Sequence, residues 1–221
     1  MGLAAEADWP ARCMLCSVAT IVYIDGFNFY YGAVKRTPHK WVDLEAVCRR
    51  LLPRDDIVKI RYFTARVTER PDDPLPPVRQ DMYLRALATN PLIEIHYGHF
   101  VTRPTRLPLA SDTSAIVEVL RTEEKGSDVN LATYLLLDAF QGRCDTAVVV
   151  SNDSDLAEPI RVAREELGVN VEIVNPHPPR KRSRRLVGTS ARQLRRQVIA
   201  DCQLPEVLYD QRGVIRKPDG W

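Results

Sequence analysis

The chain has 221 residues, 45% hydrophobic and 27% charged, with a formal net charge of +2. That is ample for one domain with a sizeable core, and no run approaches transmembrane length. The overall charge does not by itself announce a nucleic-acid partner, and five cysteines (Cys13, Cys16, Cys48, Cys144 and Cys202) are an odd set without disulfide-framework spacing.

A reducing cytoplasm therefore fits best, with Cys48 and Cys144 as buried thiols. Cys13-x-x-Cys16 lacks a second pair at zinc-finger spacing and reads as incidental. Residues 1–18 read as an N-terminal extension in which Met14 is an alternative start.

From Ala19 onward, apolar β-branched runs alternate with helix-period segments, the pattern of a βαβ domain. Ala19–Ile24 is the first strand. Asp43 is placed as the N-cap of a helix over Leu44–Leu52, which Pro53 stops. Ile57–Val67 is the second strand, and the prolines between Arg70 and Pro77 form a turn. Arg79–Ala88 is a helix ended by Asn90-Pro91. Leu92–Val101 is the third strand.

Thr102–Thr113 reads as a loop that carries Arg103 and Arg106. Ala115–Arg121 reads as an extra strand or hairpin partner. Ser127–Phe140 is an apolar helix, and Ala147–Val150 is an uninterrupted apolar strand suited to the centre of a parallel sheet. Asp155–Leu167 is a helix closed by Gly168. Val169–Val174 is a strand, and Thr189–Ala200 reads as a closing helix before the tail. The expected architecture is a three-layer α/β/α domain with a mostly parallel sheet over residues 19–176. Residues 177–221 add a basic loop, the closing helix and a tail packed on the same domain.

Aspartates stand where these elements meet. Asp25-Gly26-Phe27-Asn28 follows the first strand. Glu124-Lys125-Gly126-Ser127-Asp128 opens a helix, and Ser151-Asn152-Asp153-Ser154-Asp155 follows the central apolar strand. The carboxyl ends of strands in an open parallel sheet share one edge, where ligands bind. Carboxylates gathered there repel one another unless a cation lies between them. Taken singly, each residue has a plainer reading: Asn28 as an Asx-turn, Asp128 as a macrodipole partner, Asp153 and Asp155 as helix caps, and Lys125 as a surface lysine.

Positive charge is concentrated instead of diffuse. Residues 176–200 contain no Asp or Glu, and Arg180, Lys181, Arg182, Arg184 and Arg185 fall within them. This block is either a phosphate-backbone contact or a solvated loop. Arg79 and Tyr83 share a helix face and could hold the backbone and a base of a single strand. His96 and His99 lie in a strand at a spacing that puts them on opposite faces, which argues against a shared metal.

The three acidic blocks, in this order and spacing, resemble the signature blocks of the NYN-domain family, a branch of the PIN-like, 5′-nuclease-like fold. The resemblance implies a Mg²⁺- or Mn²⁺-dependent ribonuclease. It assigns Asp25, Asp128, Asp153 and Asp155 as metal-binding site carboxylates, with Asn28 as a polar accessory. Many members carry a further Asp one and a half helical turns after the second-block Asp. Here Tyr134 falls at that place, with Asp138 as a substitute one turn on.

The resulting expectation is endoribonucleolytic hydrolysis of single-stranded or loop RNA. Asp25, Asn28, Asp128, Asp153 and Asp155 would carry the chemistry. Lys125, Arg79 and the basic block would contact RNA. The partners expected are RNA and no membrane, with a homodimer as a further option. A non-catalytic RNA-binding module and a phosphatase or nucleotide hydrolase are the rival readings.

Overall fold

The computed structural model describes residues 18–69 and 73–221; residues 1–17 of the N-terminal extension, with Cys13 and Cys16, and the start of the proline-rich turn at 70–72 lie outside them. Its centre is strand β1, Ala19–Asp25, every residue of which is buried. Alternate side chains of a strand face opposite ways. Val22 and Ile24 accordingly enter one core, and Ile21 and Tyr23 the other. The neighbouring β5, Thr146–Val150, divides in the same manner, with Val148 and Val150 on one face and Ala147 and Val149 on the other. An uninterrupted apolar run is what a strand covered on both faces requires.

Helices supply the two outer layers. On one face lie α2 (Leu44–Leu51), α3 (Pro76–Ala88) and α6 (Arg196–Asp201), contributing Leu44, Leu87 and Ile199. On the other lie α4 (Ser127–Phe140) and α5 (Ala157–Glu165), contributing Leu131, Leu135 and Ile160. Asp43 caps α2 by accepting from the Ala46 amide at 3.0 Å. Helix α3 starts three residues before the expected Arg79, because Pro76 and Pro77 suit its first positions.

The remaining strands of the sheet are β2 (Asp56–Ala65), β3 (Ile93–Leu109), β4 (Asp112–Lys125), β6 (Asn170–Asn175) and β7 (Ser190–Gln193). Their order is β4-β3-β2-β1-β5-β6-β7. All pairings are parallel except β3 with β4. The chain builds outward from β1 through β2 in one direction and from β5 through β6 in the other. The boundary between β1 and β5 is thus a topological switch point, where the loops leaving adjacent strands part and open a crevice. The family-independent expectation of a mostly parallel α/β/α sandwich agrees with this arrangement.

Two expectations fail. Thr102–Thr113 is not a loop: β3 continues to Leu109 and pairs with β4 from His99↔Lys125 to Leu109↔Asp112. The parallel pairing of β3 with β2 ends at Gly98, so the rest of the hairpin is a two-stranded arm. Such an arm has unpaired edges, where Pro104 and Pro108 cost no ladder bond. Thr189–Ala200 is not one helix. Ser190–Gln193 extends along β6 as β7, and only Arg196–Asp201 is helical. The open edge of β6 offers backbone partners that override local helix preference. Asn175 and Gln193 add a side-chain hydrogen bond of 3.0 Å across the pair.

Two features were not foreseen, a helical turn after β1 and a C-terminal hairpin. Gly26–Phe29 forms the short helix α1 directly after β1 and runs on as a π-helical segment, Tyr30–Val34. Near the C-terminus, β8 (Val207–Asp210) and β9 (Gly213–Arg216) form a hairpin against α3. It is tied there by Arg85, which donates to Asp210 at 2.7 and 2.8 Å. Cys48, Cys144 and Cys202 are free and buried.

Candidate active site

The site forms at the switch point. Asp25 is the last residue of β1 and is 2% exposed. It accepts from the Asn28 amide at 2.9 Å and the Asn28 side-chain Nδ2 at 2.6 Å. The turn into α1 therefore fixes its carboxylate. Gly26 is required there by close approach, since an added Cβ would lie 2.6 Å from the Phe63 carbonyl and 2.9 Å from the Tyr62 ring.

The next strand contributes Ser151, directly after Val150, the partner of Ile24 in the sheet register. Ser151 is fully buried and donates its hydroxyl to Asp25 at 2.8 Å. The same hydroxyl accepts from the Asp153 amide at 3.0 Å. Asp153 in turn caps a single 3₁₀ turn, Ser154–Leu156, by accepting from the Asp155 amide at 2.9 Å. One chain of bonds thus links Asn28, Asp25, Ser151, Asp153 and Asp155.

Asp128 arrives from the opposite direction, in the first turn of α4. The chain returns from the arm through Gly126, whose φ of 97° is the left-handed conformation that glycine adopts readily. Glu124 caps the helix, accepting from the Ser127 amide at 3.1 Å and its hydroxyl at 2.7 Å.

The electrostatics follow from this crowding. Burial pushes the Asp25 carboxyl up, against the hydrogen bonds from Asn28 and Ser151, and the charge of Asp153 pushes the same way. Asp128 is pushed up to about 7 by burial and then by the charges of Asp25, Asp153, Glu124 and Asp155. The leading causes of the two shifts include no cation. Every donor offered is a carboxylate, hydroxyl or amide oxygen, which suits a hard divalent ion.

Among the described residues, no three His, Cys, Asp or Glu side chains close into a metal cage. Mg²⁺ keeps several waters and takes one or two carboxylates together with substrate oxygens. Asp25, Asp128, Asp153 and Asp155 are the side chains that would hold it.

The basic block lies close by. Asn152 holds its backbone, donating to the Lys181 carbonyl at 2.9 Å and accepting from the Ser183 amide at 2.7 Å. Arg180, Lys181, Arg182, Arg184 and Arg185 are all exposed. His177 stands between the two charge types: burial lowers its pKa first, Lys181 lowers it further and Asp25 opposes. Lys125 is exposed and ion-paired with Glu123 at 3.1 Å. Arg79 is half-buried, ion-paired with Asp73, and lines a separate cavity on the α3 face of the sheet together with Tyr83.

Asp138 does not substitute for a site carboxylate. It is fully buried beneath the sheet, where it accepts from Arg61 at 2.7 and 3.0 Å, from Tyr23 at 2.8 Å and from Arg143 at 3.0 Å. Tyr134 packs its ring against His96, 4.0 Å between centroids, and under the Arg61 guanidinium at 4.6 Å. His96 stacks on Phe63, so this histidine belongs to the same packed cluster.

Sequence reasoning passed over Glu124, Ser151 and Asn152 as working residues. Ser151 and Asn152 stood inside the third acidic block, where a hydroxyl and an amide are commonly caps. Only the register of β5 against β1 shows that Ser151 reaches Asp25.

Among curated proteins, the chain is 30% identical over 235 residues to the 6-hydroxy-3-succinoylpyridine 3-monooxygenase of Pseudomonas putida, covering 91% of this chain and 75% of that protein. Among solved structures, it is similar to a protein of unknown function, VPA0982, from Vibrio parahaemolyticus. The TM-score there is 0.56 at 14% identity, over 85% of this chain and 97% of that one, a likeness of fold. The family model of the NYN domain matches residues 19–193, which takes in all seven strands of the sheet and every acidic residue of the site. The chain belongs to the NYN-domain family.

Proposed function

We propose that this protein is a Mg²⁺- or Mn²⁺-dependent endoribonuclease that hydrolyses phosphodiester bonds in single-stranded or loop RNA. The observation that supports this most is the gathering of Asp25, Asp128, Asp153 and Asp155 at the switch point, where the Asp25 and Asp128 carboxyls are pushed up in pKa and no cation is among the leading causes. Crowded like charges of this kind favour a divalent ion. Bound there, the ion would supply Lewis-acid polarisation of a phosphoryl oxygen and a more acidic water.

The chain's own residues divide the remaining work. Asn28 and Ser151 hold Asp25 in one orientation by three hydrogen bonds. Asp128 approaches from α4, across from the strand-end carboxylates. Its carboxyl, pushed up to about 7 in the absence of metal, would give up its proton when a divalent ion joins the cluster and would then help to hold the ion or orient the attacking water. The exposed arginines beyond Asn152 attract the phosphate backbone and set its position without reading sequence. The exposed face of this loop favours a polyanionic strand over a small phosphate ester.

The test is incubation of purified protein with end-labelled RNA in Mn²⁺ or in EDTA. Internal cleavage in Mn²⁺, abolished by EDTA and by Asp153→Asn, is the expected result. Full activity of Asp153→Asn at saturating Mg²⁺ would reduce Asp153 to a helix cap.

A second reading comes from the Pseudomonas relative, whose name is that of a monooxygenase acting on a substituted pyridine. The observation that favours it is an aromatic-lined cavity beside α1. In that reading the same scaffold would oxygenate a small heteroaromatic acid with molecular oxygen and an external two-electron reductant, the second oxygen atom leaving as water.

A further inference from the structure

The cavity lies on the α3 face of the sheet and has a volume of about 520 Å³. Ligand pockets typically span roughly 300–1,000 Å³. It is separate from the acidic cluster, and α1 is the wall between them. Asn28 of that helix bonds Asp25, whereas Phe27 and Phe29 line the cavity. The floor is Tyr62, over which Gly26 fits only for want of a side chain. Asp25 contributes to the upward push on the Tyr62 phenol, after burial, so the floor lies within electrostatic reach of the site.

The lining is unusual in being aromatic on several sides. Tyr30 and Tyr31 come from the π-helical segment, Tyr83 from α3 and Trp221 from the C-terminal end. Tyr83 and Trp221 have ring centroids 5.9 Å apart, and Tyr31 is 51% exposed. At that distance Tyr83 and Trp221 touch one another, so a flat ring would stack on the open face of this aromatic pair and not enter between its members.

Positive charge is added at the same place. Arg79 is engaged by Asp73, while Lys35 lies over the Tyr31 ring at 4.5 Å. Half-buried Lys40 forms no ion pair among the described residues. Asp219, exposed near the C-terminus, offers one acceptor to a ring amine or N–H.

We propose that this cavity binds a planar heteroaromatic ring carrying an anionic group, the ring stacked on the aromatic lining that Trp221 and Tyr31 present and the anion held by Lys35 and Lys40. A nucleotide of an RNA strand and a free heteroaromatic carboxylate share that chemistry. The first would make the cavity a base subsite next to the scissile phosphate, deepening the nuclease reading. The second would accord with the monooxygenase reading. The inference itself rests on neither, because binding requires no cleavage and no metal.

The test is calorimetric titration of the full chain in EDTA with adenosine and uridine 5′-monophosphates and, separately, with pyridine-3-carboxylate. Saturable one-site binding of either class is expected. It should weaken about tenfold or more in Trp221→Ala or Tyr31→Ala, given the usual worth of ring stacking. Lys40→Gln should weaken the anionic ligand and leave the matching uncharged ring, adenosine or pyridine, nearly unaffected. Tyr31 is exposed at the mouth, so its variant keeps the test open should Trp221→Ala fold poorly. Nucleotide binding alone would identify a strand subsite, and pyridine-carboxylate binding alone a small-molecule site. No binding of either class by folded protein would overturn the inference, as would binding that none of these substitutions weakens. Because EDTA is present throughout, loss of RNA cleavage in a separate assay would not bear on this result.

Discussion

Two groups of carboxylates lie against this sheet, one fully buried and one partly, and the fold compensates them in opposite ways. Asp138 is fully buried and meets two arginines and a tyrosine. Burial pushes its carboxyl up, but the hydrogen bonds and charge of Arg61, with Tyr23 and Arg143, hold it below the ordinary range. Asp25 and Asp128 meet hydrogen-bond donors and other carboxylates, and both are pushed up. The first group is complete within the protein. The second is stable as an assembly of anions only when a proton or a cation joins it. A carboxylate that the fold leaves uncompensated is the better guide to chemistry than one that is merely buried.

Breaking the completed group should have the largest effect on folding. Asp138→Ala leaves the Arg61 guanidinium, 4% exposed, without its main partner. Removing one member of a buried pair typically costs about 3–5 kcal/mol, read as a lower midpoint in urea unfolding. A loss under about 1 kcal/mol would show that the pair behaves as a surface ion pair. Asp138→Ala should leave metal-dependent stabilisation intact once the protein is folded.

The uncompensated group should respond in the reverse direction. Asp128→Asn removes a charge from a repelling cluster, so metal-free stability should stay level or rise, and thermal stabilisation by Mn²⁺ should shrink. The pH dependence has a fixed sign. The carboxyl is ionised above 3.8 in the unfolded chain but holds its proton to about 7 in the fold. Its contribution to stability is therefore present at low pH and lost as pH rises from about 4 through about 7. In EDTA, the stability of wild type relative to Asp128→Asn should fall across that window. A difference that is flat with pH would mean the carboxyl is already ionised in the fold.

The smallest effect belongs to the basic loop. Changing Arg180, Lys181, Arg182, Arg184 and Arg185 to Gln should reduce the logarithmic salt slope of RNA affinity by roughly 0.7 per lost phosphate contact on a single strand. Affinity should fall about equally for unrelated sequences, with single-turnover cleavage of bound RNA retained. An unchanged slope would make the block a solvated loop. Loss of cleavage together with the slope would place it at the scissile phosphate.

The acidic residues were legible because each follows or opens an apolar run, and such runs set the strand ends and helix starts of the sheet. The partners that tune them were not. Ser151 reaches Asp25 across 126 positions of sequence, and Asn152 holds Lys181 and Ser183 across about thirty; only strand register and loop packing bring them together. The β3–β4 arm was hidden by Pro104 and Pro108, which read as loop until an unpaired edge makes them tolerable. β7 was hidden because Ser190–Gln193 takes its extended form from the edge of β6 more than from its own residues. The placement of Tyr134 and Asp138 on one helix could be counted, but their inward engagement with Arg61 depends on β2 lying beneath α4.

The central claim is that the uncompensated carboxylates form a divalent-metal site for RNA cleavage. Its most direct measurement is cleavage of end-labelled single-stranded RNA across a Mn²⁺ titration, with wild type and Asp153→Asn assayed beside an EDTA control. The account predicts internal cuts that rise with Mn²⁺, vanish in EDTA and are lost in the variant while its fold is kept. Cleavage that persists in EDTA, or no cleavage by folded wild type at any Mn²⁺ concentration on any single-stranded or loop substrate, would contradict it.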